Sequence, residues 1–111
     1  MKVKRTIKEI DSVLQKIKEL LESIYGNRLL DVILYGSFVR NEATVDSDID
    51  IAVVLKDTVN KIEEIDKMHD ILYPLLLEYG EFISVNPIST KELGDIQWPL
   101  YYHINNEGIR V

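Results

Sequence analysis

Leu29-Leu30-Asp31-Val32-Ile33-Leu34-Tyr35-Gly36-Ser37 and, beyond a polar stretch, Ser47-Asp48-Ile49-Asp50-Ile51-Ala52-Val53-Val54-Leu55 are the two runs whose reading decides the fold. Each is rich in branched aliphatic residues and bounded by turn-forming ones, the pattern of a β-strand rather than an amphipathic helix. The first breaks at Gly36. In the second, the unbroken apolar run Ile51–Leu55 predicts a strand covered on both faces. The segment between them, 36–47, reads as a short helix followed by a polar loop.

Upstream, Ile7, Ile10, Leu14, Ile17, Leu21 and Ile24 recur at alternating spacings of three and four, and Val13 and Leu20 widen that stripe. This is a helix with one apolar side, ended by Gly26-Asn27. Downstream, a helix from about Val59 carries Ile62, Ile65, Met68 or His69, Leu72 and Leu76, and Pro74 is expected to kink or divide it. Phe82–Ile88 reads as a third strand ending near Pro87. Ser89-Thr90-Lys91-Glu92 has the form of a capping box. Pro99–Asn105 suits a last helix, with Gly108 releasing a short tail over 109–111. The order αβαβαβα predicts one α/β (α+β) domain over residues 1–111: a small mixed sheet of three to four strands flanked by helices.

Composition narrows the function. At 46% hydrophobic and 29% charged, with three Pro and five Gly, the chain reads as globular. Its formal charge of −6 argues against independent nucleic-acid binding, which draws most of its affinity from phosphate neutralisation. No apolar run approaches the roughly 18 residues of a membrane span. Lys2, Lys4 and Arg5 open onto an amphipathic stretch rather than a signal sequence. The absence of cysteine excludes thiolate metal sites and accords with the cytoplasm.

The chemistry lies where the two strands meet the polar segment. Asp48 and Asp50 are two apart at the head of a strand, so both carboxylates project to one side and repel unless a cation joins them. Oxygen ligands suit a hard ion such as Mg²⁺ or Mn²⁺, which completes its shell with water and phosphate. An Asp-x-Asp pair by itself also serves to cap or solubilise a loop. Gly36-Ser37, a glycine between strand and helix, shifts the balance by offering main-chain N–H groups and a hydroxyl to phosphate. Arg40 reaches either phosphate or the acids Glu42 and Asp48.

Taken together, Gly36-Ser37-Phe38-Val39-Arg40 and Ser47-Asp48-Ile49-Asp50 resemble the signature of the DNA polymerase beta-like nucleotidyltransferase superfamily. The small size of the chain looks like its minimal, antitoxin-type members. The resemblance implies a palm-like fold and transfer of a nucleoside monophosphate from a nucleoside triphosphate, probed first with ATP, to an acceptor hydroxyl. It implies metal ligation by Asp48 and Asp50 and nucleotide contacts from Gly36, Ser37, Arg40 and Ser47. A small all-helical HEPN-type partner protein, or a homodimer mate, would supply the acceptor surface. The alternative is a catalytically degenerate module that binds nucleotide or caps a partner.

The same resemblance calls for a third catalytic carboxylate on a neighbouring strand. Alternation along 81–87 puts Phe82, Ser84 and Asn86 on one face and Glu81, Ile83 and Val85 on the other. If the site faces the second set, Glu81 serves; if it faces the first, only neutral side chains are on offer. His103, Trp98, Tyr101 and Tyr102 read as structural, and two histidines without a matching acid cluster make no zinc site.

Overall fold

The computed structural model describes residues 4–95 and 97–111; Lys2 of the basic start lies outside them. Helix α1 (Asp11–Tyr25) is preceded by a 3₁₀ turn (Ile7–Ile10) and followed by a second (Gly26–Arg28). Then come strands β1 (Leu29–Tyr35) and β2 (Ile49–Leu55), helix α2 (Lys61–Tyr79), strand β3 (Ile83–Ser89), helices α3 (Thr90–Leu93) and α4 (Pro99–Glu107), and strand β4 (Ile109–Arg110). The sheet order is β3-β2-β1-β4. β1 runs antiparallel to β2 and to β4, and β2 runs parallel to β3 through the α2 crossover. This is the mixed sheet flanked by helices that the strand and helix periods imply.

Burial explains the layering. Ile49, Ile51, Val53 and Leu55 of β2 pack with Leu14, Ile17 and Leu21 of α1 and Met68, Leu72 and Leu75 of α2 in the larger core. On the other face, Ala52 and Val54 join Ile33, Ile88 and Ile104, closed over by Leu93 and Tyr101 of α3 and α4. Every residue of β2 except Asp50 is buried, as its double-sided apolar run requires. At α1, Tyr25 takes the buried place expected of Ile24, which is 40% exposed.

Four expectations need correction. First, segment 36–47 folds as successive turns, with no more than a single helix-like turn at its start. The Arg40 N–H donates to the Gly36 carbonyl, but Asn41 turns left-handed at φ 58 and Glu42 N–H closes back on Ser37 O at 2.9 Å. That is the geometry of a helix C-terminus, so the helix stops after a single turn. Second, α2 runs unbroken through Pro74. A proline inside a helix costs about 3 kcal/mol, and burial of Met68, Leu72 and Leu75, at roughly 1.5–3 kcal/mol each, outweighs it. Third, α2 turns its face at Glu64, Met68, Leu72 and Leu75 to the core, leaving Ile62 77% exposed. Fourth, the tail is a strand: β4 pairs with Ile33 and Leu34, and Arg110 Nε meets Asp31 Oδ2 at 2.9 Å. A Cβ at Gly108 would lie 2.4 Å from the Ile33 side chain, so glycine there lets β4 dock on β1.

Candidate active site

Sheet register builds the site. Tyr35 of β1 lies opposite Asp50 of β2, which lies opposite Ser84 of β3. Register partners share a face, so these three side chains form one row at the end of the sheet. The next row is Ile33, Ala52 and Asn86. That face is the one covered by α3 and α4 further along. Asp48, exposed just before the strand, adds the second carboxylate.

The loop between β1 and β2 is pinned from beneath. Phe38 and Ala43 are buried at 3% and 0% exposure. The Arg5 guanidinium lies 5.2 Å from the centre of the Phe38 ring, and the Arg5 N–H donates to Ala43 O at 2.8 Å. With those anchors fixed, Gly36 and Ser37 stand at the mouth of the sheet beside Asp50. Gly36 has φ +81, and a Cβ there would sit 2.2 Å from Asp50 Oδ2. The glycine therefore makes room for the Asp50 carboxylate itself.

Electrostatics single out Asp50. Its carboxyl is pushed above the usual carboxylate range by burial first and by the neighbouring Asp48 charge second, while Arg40 acts in the opposite direction. Arg40 is part-exposed and spread between Glu42 at 3.7 Å and Glu107 at 3.9 Å, so it neutralises neither aspartate fully. Glu107 also holds His103 Nδ1 at 3.4 Å, which brings the end of α4 to the edge of the site. Tyr35 is pushed up by burial and by Asp50, with Asn86 acting in the opposite direction.

Two expected site residues lie elsewhere or act otherwise. Glu81 is paired with the Arg5 guanidinium. It lines a cleft with His69, Leu72, Tyr73 and Leu76 of α2, on the side of the sheet away from Asp50. Glu81 therefore does not complete the acidic pair, because the strand presents Ser84 to Asp50 instead. Among the described residues no third acid or histidine joins a metal-holding group. Ser47 Oγ accepts the Thr44 N–H at 2.8 Å, and the Ser47 N–H returns a bond to Thr44 O at 3.0 Å. That closed turn sets the direction of Asp48, so Ser47 shapes the loop. Glu107 was not among the expected site residues; its place depends on α4 returning over the sheet, which no local pattern announces.

Residues 14–97 match the family model described as nucleotidyltransferase domain, spanning both motifs and all of β1, β2 and β3. The chain belongs to this family. A Methanocaldococcus jannaschii relative provisionally named a protein adenylyltransferase is 31% identical over 100 residues, 88% of this chain and 93% of its own length. Among solved structures, one provisionally described as a minimal nucleotidyltransferase aligns with TM-score 0.59 at 20% identity, over 92% of this chain and 95% of its own. A chain of the toxin–antitoxin pair MntA–HpeT, solved as a point mutant, aligns at 0.58 and 23% over 88% of this chain and 70% of that one. These likenesses establish the fold. The protein is a nucleotidyltransferase, and such enzymes act on a nucleoside triphosphate with a divalent metal ion. No described helix is long and apolar enough to cross a membrane.

The residues present suit one such ion. Asp48 and Asp50 are hard oxygen donors; burial first and the Asp48 charge second raise the Asp50 carboxyl, and a divalent cation would relieve the repulsion between them.

Proposed function

We propose that this nucleotidyltransferase moves AMP from ATP, bound with Mg²⁺ or Mn²⁺, onto a hydroxyl of a partner protein. The observation that carries the reading is the Asp50 carboxylate packed against Gly36, with Asp48 close enough for its charge to act on Asp50. Asp48 and Asp50 would hold the metal, which when bound neutralises the triphosphate and exposes the α-phosphorus to attack. Ser37 and the main chain at the start of the turn would hold phosphate oxygens, and Arg40 would add charge at the rim. Among the described residues no third carboxylate joins Asp48 and Asp50 to take the acceptor's proton.

A protein acceptor accords with the name of the M. jannaschii relative and with the paired assembly of the MntA–HpeT structure. An exposed apolar strip of Tyr73, Leu77 and Phe82, 57–70% exposed, gives a helical HEPN-type partner or a second copy somewhere to dock. The cytoplasm, where ATP is held, fits this role. The alternative, a nucleotide-binding or partner-capping module without turnover, is favoured by the neutral Tyr35 and Ser84 flanking Asp50.

Incubation with labelled ATP, Mg²⁺ or Mn²⁺ and whatever protein the neighbouring gene encodes is expected to label that protein. Asp48→Asn should reduce labelling on the order of 10³-fold. Metal-dependent triphosphate binding without any label transfer would establish the module instead. Labelling undiminished in Asp48→Asn would remove the acidic pair from the mechanism.

A further inference from the structure

We propose that the centre takes one divalent ion per chain, not a pair, and that Ser84 is the position that sets this number. The inference rests on the metal–triphosphate reading above and adds the stoichiometry of the site and the residue responsible.

Paired-metal centres that clamp both the attacking and the leaving oxygen hold their ions about 3.5–4 Å apart. Ions that close repel strongly, so each needs carboxylate charge of its own as well as a shared ligand. Around Asp50 the sheet offers only two neighbouring positions on the same face, one strand spacing of about 4.8 Å to either side. On the β1 side the neighbour is Tyr35. A phenol there brings no carboxylate charge to an ion beside Asp50. On the β3 side the neighbour is Ser84, in register with Asp50.

Ser84 is exposed, so the space beside Asp50 on that strand is open. An acid at 84 would reach an ion lying next to Asp50, whereas a serine hydroxyl brings no charge to hold one. Acids elsewhere do not fill the gap. Glu81 is bound to Arg5 on the far side of the sheet, and Glu107 is shared between Arg40 and His103. Among the described residues no acid or histidine makes a third member with Asp48 and Asp50. Two carboxylates thus suffice for the ion that rides with the triphosphate and leave none for an ion at the acceptor hydroxyl.

Counting settles the matter without reference to turnover. Mn²⁺ is titrated into the full chain in the presence of a non-hydrolysable α,β-methylene analogue of ATP, and bound ions are counted by electron paramagnetic resonance. The wild-type protein is expected to bind one Mn²⁺ and Ser84→Asp two. Ser84→Ala should keep one with unchanged analogue affinity, because the hydroxyl is not a ligand. In thermal melts Ser84→Asp should lose stability without metal, from added repulsion, and regain more than wild type when Mn²⁺ and analogue are present.

Two ions in the wild-type protein would overturn the proposal outright, whether or not Ser84→Asp folds. A single ion in a folded Ser84→Asp would overturn the role given to Ser84. No Mn²⁺ in the wild-type protein, even with analogue, would overturn the metal–triphosphate reading beneath it, and so is told apart from both.

Discussion

Two carboxylates sit against this sheet in opposite circumstances. Glu64 on α2 is buried at 3% exposure, yet Arg28 Nη1 meets its Oε2 at 2.8 Å and Lys67 Nζ its Oε1 at 3.3 Å. Asp50 on β2 is half-buried, pressed against Gly36, with another acid beside it and Arg40 divided among other partners. The chain satisfies the first charge from its own residues and leaves the second in deficit. A buried charge with its counter-ions supplied is a structural device; one left repelled is shaped for something that arrives from solution.

Exchanging the two makes the largest break in that comparison. Arg28→Ala would strip Glu64 of its nearest cation and is expected to cost about 2–4 kcal/mol, discounted from a fully buried pair because Arg28 is 34% exposed. Urea denaturation should show a lower midpoint with an unchanged slope. Asp50→Asn should do the reverse, leaving stability unchanged or raised because a repelled charge is gone. If both variants destabilise alike, Asp50 is as much a structural acid as Glu64, and the contrast fails.

Gly36→Ala sharpens the same contrast at smaller magnitude. A methyl group at 36 would collide with Asp50 Oδ2 and be held at φ +81, a conformation unfavourable to any residue with a Cβ. The carboxylate must then swing away. Displacement of a reacting group by about 1 Å can cost on the order of 10² in rate. Nucleotide transfer measured against Mg²⁺ concentration should show the loss. The accompanying drop in stability should be about 1–2 kcal/mol. Full activity in this variant would mean that Asp50 does not need its position over the glycine.

Gly36 also marks how far sequence reading reaches. Its break between two apolar runs is legible from local pattern alone, as are β1, β2, the capping box at Ser89 and Glu92, and the acidic pair. What a glycine is for depends on what lies opposite. Local pattern points to phosphate; the fold adds the Asp50 carboxylate, which a Cβ at this position would strike. Glu81 failed for a related reason. Alternation defines two faces of β3 but cannot say which one meets Asp50 until the parallel register with β2 pairs Asp50 with Ser84. Glu107 and β4 needed still more, since both follow from the end of the chain returning across the sheet. Short-range periodicity encodes elements; the pairing of distant ones is settled by packing.

The gentlest probe of the comparison is Tyr25, which shares the Glu64 pocket. Its hydroxyl is buried, and Glu64 lies close enough to act on its titration, but the geometry falls short of a hydrogen bond. Burial, and after it the Glu64 charge, pushes the phenol up to about 12. Because the folded value lies above the unfolded one near 10, the unfolded state loses this proton first. The contribution to stability is therefore complete below pH 10 and drains away as pH rises towards 12. Tyr25→Phe abolishes that dependence. At neutral pH the variant should match the wild type or gain up to about 1 kcal/mol, since an unpaired buried hydroxyl is removed. Between pH 10 and 12 its stability should fall less steeply than that of the wild type in parallel denaturation series. Equal slopes would mean that the Tyr25 phenol is not raised in the folded state at all, neither by its burial nor by the Glu64 charge.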